Sequence, residues 1–142
     1  MTGQVFTRER KVRFADCDAA GIVFYPRYFE MISAVTERFF ADAIGYSWAQ
    51  MGRSGGAGTP MGEINVRFHA PSRLEDMLEF SLTLQRIGSS SATIQILCHC
   101  GGQHRFTCKA TLVYARLETG GSEPWPDTAR AMMARYLSPS ED

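Results

Sequence analysis

The chain has 142 residues, 44% hydrophobic and 21% charged, enough for one folded domain with a real core and too few for two. Its 15 basic and 15 acidic residues cancel, which argues against a general nucleic-acid binder. No apolar run approaches the roughly 20 residues of a membrane-spanning helix, and the opening MTGQVFTRERKVRF lacks the apolar stretch of a signal peptide. A cytoplasmic protein without membrane contact is expected.

Val12 and Phe14 alternate with Lys11 and Arg13, which predicts a strand. The stretch Asp16-Cys17-Asp18-Ala19-Ala20-Gly21 follows, two carboxylates and a glycine turn, and then a long apolar segment. Pro26 stands where a first helical turn would begin, a place that tolerates proline because that N–H has no intrahelical partner. Residues 27–44 read as one helix, with Tyr28, Ile32, Val35 and Phe39 at helical spacing and Gly45 as its stop. Phe29, Met31, Ala34, Phe40, Ala43 and Ile44 widen the apolar surface almost around the cylinder, so burial on several sides is expected. Glu30, Ser33 and Glu37 form a polar stripe. This order holds an acid beside a helix N-terminus, where free N–H groups and the positive end of the dipole collect. A carbonyl oxygen bound there is polarised, with a carboxylate poised to attack it or to activate water. That is a hydrolase geometry.

Residues 52–62 (GRSGGAGTPMG) read as a glycine-rich connection. No Gly-Lys-Ser/Thr follows, so a mobile loop bordering a site is expected rather than a phosphate cradle. Four strands come next. Ile64–Ala70 alternates up to Pro71, and Leu78, Phe80, Leu82 and Leu84 share a face. Ala92, Ile94, Ile96, Cys98 and Cys100 line another, up to a hairpin turn at Gly101-Gly102. Phe106, Cys108, Ala110, Leu112 and Tyr114 line the last. Beyond Gly120-Gly121 and two prolines, residues 127–137 form a short helix anchored by Ala131, Met132 and Tyr136. The result is an α+β fold, an antiparallel sheet wrapped around one long helix, with no repeat or internal boundary. Its outer sheet face and edges stay free, so subunits are expected to associate.

Other residues add little chemistry. Cys98-x-Cys100 has the wrong spacing for a redox or zinc pair, so the four cysteines read as buried free thiols. His99 and His104 flank the glycine turn, but no third ligand is indicated, and no metal site is expected. Thirteen of the basic residues are arginine, which suits phosphate contacts and equally reflects a GC-rich genome. A Gly-x-Ser-x-Gly elbow is absent, against a serine hydrolase of the α/β-hydrolase type.

The motif DCDAAGIVFYPRYF, followed by Gly58-Thr59-Pro60 and the strand run, resembles the 4-hydroxybenzoyl-CoA thioesterase family of hotdog-fold proteins over roughly residues 8–117. The resemblance implies acyl-CoA thioester hydrolysis without metal or organic cofactor, coenzyme A being part of the substrate. It also implies dimers or tetramers with sites at the dimer interface. By position the catalytic acid falls on Asp18, the carbonyl-polarising N–H on Tyr25 and the enabling turn on Gly21, with Asp16 bracing the loop. Phe24, Ser33, Thr59 and Pro60 would face the acyl group, and Arg86, Ser89, Ser90 and Ser91 would contact coenzyme A. Phe24-Tyr25-Pro26 is similar to the aryl-CoA branch. Ser33 stands where a helix carboxylate would read a ring hydroxyl, and it brings a hydrogen bond without charge. The alternatives are a short- or medium-chain aliphatic acyl-CoA thioesterase of the Tol-Pal-associated branch and a non-catalytic acyl-CoA-binding protein.

Overall fold

A computed structural model describes residues 2–138. Its elements in chain order are β1 (Phe6–Lys11), α1 (Tyr25–Arg38), α2 (Trp48–Gly55), β2 (Ala57–Gly58), β3 (Met61–Phe68), β4 (Met77–Ile87), β5 (Ser91–Cys100), β6 (Gln103–Val113), β7 (Ala115–Arg116) and α3 (Asp127–Ala134). Five strands form one antiparallel sheet in the order β1-β4-β5-β6-β3, and β2 pairs with β7 separately.

The long helix packs across the inner face of this sheet. Apolar residues at every second position of β4, β5 and β6 point to one side, because successive side chains of a strand alternate. They meet Met31, Ile32, Val35, Phe39 and Phe40, all of them buried. Tyr28 near the start of α1 stacks on Phe68 and Phe106, whereas Phe39 at its far end meets Phe6 and Tyr136. The helix continues through a π turn over Phe39–Ile44. The wider turn lets both Phe39 and Phe40 reach the core, Phe40 stacking on Trp125. Gly45 ends the helix at φ 75°, a left-handed value glycine adopts without cost. This sheet around a helix is the hotdog fold.

Several local expectations change. The strand lies at 6–11 rather than 11–14: Val12 is buried, while Phe14 sits in a 3-10 turn and is 82% exposed. The segment from 48 to 55 is helical, because Ser47 and Gln50 cap each other's backbone N–H groups. The glycine-rich connection therefore begins only after that helix. The outer side of α1, including Phe29, Ser33, Ala34 and Glu37, is open in the single chain, so burial is one-sided. Ala129 and Met133, not Ala131, anchor α3, which stops at Ala134. Cys98 and Cys108 are buried, but Cys17 and Cys100 are only half-buried. Gly101 and Gly102 both have positive φ, as a tight hairpin turn requires.

Candidate active site

Residues 16–24 fold back on themselves. The Phe24 N–H donates to the Asp16 carbonyl at 2.9 Å, Cys17 bridges Val23, and the Asp18 N–H donates to the Ile22 carbonyl at 2.9 Å. The Gly21 N–H closes the turn on the Asp18 carbonyl at 3.0 Å. Gly21 has φ 80°, which a residue with Cβ adopts only at a cost. Asp18 therefore lies two residues along a paired run from the contact that starts α1, roughly 7 Å at about 3.3 Å per residue. Its Oδ1 accepts from the Ala20 N–H at 2.9 Å, and its side chain is exposed.

Phe24 is the extended residue before α1, and Pro26 occupies its first turn. The Tyr25 N–H is thus one of the helix's orphan donors, and it has no hydrogen-bond partner among the described residues. Tyr25 borders a cleft of about 300 Å3 lined also by Ile22, Val23, Tyr28, Phe68, His69 and Pro71. Burial pushes the Tyr28 phenol up from its ordinary value.

Asp16 is buried. Its carboxylate accepts from the Arg13 N–H at 2.9 Å and from the Arg10 guanidinium at 3.0 Å, which fixes the entry to the turn. A second brace comes from residues that sequence reasoning missed. The Arg105 Nη1 donates to the Pro71 carbonyl (3.0 Å), Ser72 Oγ (2.9 Å) and Asp76 Oδ2 (2.7 Å). The loop so fixed holds the turn in place, because the Ser72 carbonyl accepts from the Val23 N–H and Arg73 bridges Ile22. Arg105, and next the Arg73 N–H, hold the Asp76 carboxyl below the usual carboxylate range. No local signal pointed to this, since by alternation with Phe106 and Cys108 Arg105 reads as a solvent-facing position like Lys109.

The remaining site residues fall in two places. Ser33 and Thr59 line a mostly apolar hollow of about 330 Å3 between α1 and β3, with Phe29, Ile32, Trp48 and Met61. Ser33 lies eight residues from Tyr25, about 12 Å along the helix axis. Phe24 packs edge-on against Tyr25, and the Pro60 carbonyl accepts from the Val113 N–H; neither faces that hollow.

Arg86 and Ser89–Ser91 lie at the other end of the molecule. The Asp18 turn is tied to residues just before β4, whereas Arg86 is the next-to-last residue of β4 and the serines follow it. Ten residue steps of strand separate them, roughly 33 Å. The carbonyls of Ser89 and Ser91 accept from Trp125, that of Ser90 from the Tyr114 N–H, and that of Gly88 from Arg130. One chain does not bring this turn to Asp18.

Among the described residues no group of three or more His, Cys, Asp and Glu is placed to hold a metal, and no helix is long and apolar enough to cross a membrane.

A family model described as the thioesterase-like superfamily matches residues 12–133. The 4-hydroxybenzoyl-CoA thioesterase of Pseudomonas sp. (strain CBS-3) is 32% identical over 73 residues, 51% of this chain and 52% of that protein. The match thus spans about half the length of that curated relative. Among solved structures, a gentisyl-coenzyme A thioesterase superposes with a TM-score of 0.82 at 23% identity, covering 91% of this chain and 100% of that one. A 1,4-dihydroxy-2-naphthoyl-CoA thioesterase from Synechocystis gives 0.83 at 21% identity, covering 92% and 96%. At those identities the two structures establish the shared fold.

Proposed function

The chain belongs to the thioesterase-like superfamily, and on that premise we propose that it hydrolyses the thioester of an aromatic acyl-CoA, with Asp18 as the catalytic acid. The observation carrying this reading is the folded-back turn, which sets an exposed carboxylate close to an unpartnered N–H at the start of α1. The named activities of the relatives, all on aromatic CoA thioesters, favour a ring-bearing acyl group.

The thioester carbonyl oxygen accepts from the Tyr25 N–H. Negative charge grows on that oxygen as the carbonyl carbon is attacked, and a donor aimed there is worth about 3–4 kcal/mol. Asp18 acts in one of two ways. As nucleophile, its oxygen bonds to the acyl carbon, the C–S bond breaks, the CoA thiolate leaves, and water hydrolyses the resulting mixed anhydride. As general base, it takes a proton from water whose hydroxide adds to the carbon, and the thiolate leaves with a proton returned to it. Gly21 permits the turn in both, and Asp16 braces it. No metal or organic cofactor enters either route. Ser33 and Thr59 offer hydroxyls to the acyl group inside an otherwise apolar hollow.

β1 and β3 are the two edges of the five-stranded sheet, and we assign β3 to pairing with a second copy. On this reading any contact of Arg86 and Ser89–Ser91 with coenzyme A at Asp18 comes from a second copy.

The test is thiol release from benzoyl-, hydroxybenzoyl-, phenylacetyl- and short aliphatic-CoA by the protein and its Asp18→Asn variant. We expect a preference for one aryl-CoA, and a loss of about 10²–10⁴-fold in kcat for the variant with substrate binding retained. Full turnover by Asp18→Asn would remove the assignment of the acid. A preference for aliphatic chains would move the substrate to the aliphatic alternative.

A further inference from the structure

The outer face of the sheet carries a basic hollow unconnected with the acyl hollow. Asn65, Arg67, His69, Gln95, His104 and Lys109 line it, with Thr107 at its floor, in a volume of about 480 Å3. Strand register explains the gathering. Arg67 pairs with Thr107 and Asn65 with Lys109, so Arg67 and Lys109 are diagonal neighbours on one face, roughly 7–8 Å apart. Three imidazoles continue the patch. His69 stacks on His104 at 4.2 Å between ring centroids, and His104 on His99 at 4.8 Å. The Thr107 hydroxyl bonds both His69 Nε2 and His104 Nε2.

No acid lines this hollow. Glu63 lies two residues from Asn65 on the same face, and Glu79 pairs with His99 from the neighbouring strand. Neither Arg67 nor Lys109 makes a salt bridge among the described residues. Burial, and then the nearby His104 and Arg67 charges, lower the His69 pKa. Two cations and two imidazoles thus face one concavity with no internal counter-charge, an arrangement that an anion relieves.

His69 belongs to two spaces at once. It lines the cleft that Tyr25 borders and also lines the basic hollow. Val23, Tyr25, Phe68 and Pro71 give the cleft an apolar lining, and His69 is the residue it shares with the basic hollow, all on one chain. We propose that this hollow binds the phosphate-bearing nucleotide end of the CoA thioester in cis, with Arg67 and Lys109 as its main contacts and the apolar cleft carrying the pantetheine arm. The proposal rests on the thioesterase reading. It differs from the Arg86 turn, which lies at the far end of β4.

Two measurements test it. The first follows the histidine ring resonances by NMR while adenosine 3′,5′-bisphosphate, and separately inorganic phosphate, is added to the intact protein. His69 and His104 should shift, and the bisphosphate should act at a concentration at least tenfold lower. An equal response to both anions would overturn the nucleotide assignment, and no response to either would overturn the site. The second compares KM for an acyl-CoA with that for the same acyl group on N-acetylcysteamine, which lacks phosphates. In the Arg67→Gln/Lys109→Gln variant, KM for the CoA ester should rise about 10–100-fold with kcat held, and the short ester should be unaffected. Both residues are exposed, so the variant should fold. A rise confined to Arg86→Gln would overturn the proposal in favour of the distant turn. Intact bisphosphate shifts without turnover of either ester would support the hollow and count against the hydrolase reading instead.

Discussion

Replacing Asp76 with alanine removes the only charged partner of Arg105 among the described residues. The Arg105 side chain is 11% exposed and that of Asp76 27%, so the pair sits between the surface and buried cases. Exposed pairs contribute about 0–1 kcal/mol, whereas breaking a buried one costs about 3–5 kcal/mol by stranding a charge. Two neutral acceptors, the Pro71 carbonyl and Ser72 Oγ, remain on Arg105 and soften the loss. The Arg73 N–H also loses its acceptor. About 2 kcal/mol is expected, which for a chain of this length lowers Tm by roughly 7 °C. The folded carboxyl titrates below its ordinary value of 3.8. Its contribution is therefore complete above about pH 4 and is lost as pH falls through the lowered value. Urea unfolding of both proteins at equal concentration, at pH 7 and again near pH 3, measures this. The gap should be full at pH 7 and shrink in acid. A gap under about 0.5 kcal/mol at pH 7, or one that stays constant to pH 3, would refute the ion pair as the brace of this loop.

Three further outcomes are expected. Gly21→Ala meets no neighbour within 4 Å, so only its φ of 80° resists. The strain of about 1–2 kcal/mol falls on the Asp18 turn, so kcat should drop and Tm should fall by roughly 3–7 °C. Glu75 holds φ 73° without being glycine, so Glu75→Gly should leave stability unchanged or raise it by up to about 1 kcal/mol, read by the same unfolding curves. Burial pushes the Cys98 and Cys108 thiols up to about 12. A thiol reagent at pH 8 should therefore modify Cys17 and Cys100 in the native protein and reach the other two only on unfolding, as mass spectrometry of labelled peptides would show.

What the sequence determined by itself was local. Pro26 and Gly45 marked the ends of the long helix, Gly101-Gly102 marked its hairpin, and alternation in β4, β5 and β6 identified the buried face of each. The helix that the Ser47–Gln50 pair caps went unread, because the glycines from Gly52 onward read as a loop. Such signals lie within a few residues, where backbone conformation and side-chain period are coupled directly. The site's order along the chain was legible for the same reason: acid, turn and helix start follow one another from Asp18 to Tyr25.

Only the tertiary structure decided which distant residues meet. Arg105 reaches Asp76 across 29 positions because β6 runs past the loop that precedes β4. His69 meets His104, and Arg67 approaches Lys109, because β3 pairs with β6 in one register and not the next. The length of β4 sends the Arg86 turn to the opposite end of the sheet from the loop that holds the Asp18 turn. A strand's own sequence sets which side chains face the core, but not which strand lies beside it or with what offset. Those are fixed by how the apolar faces close together around α1, a collective choice of the whole core that no single segment contains.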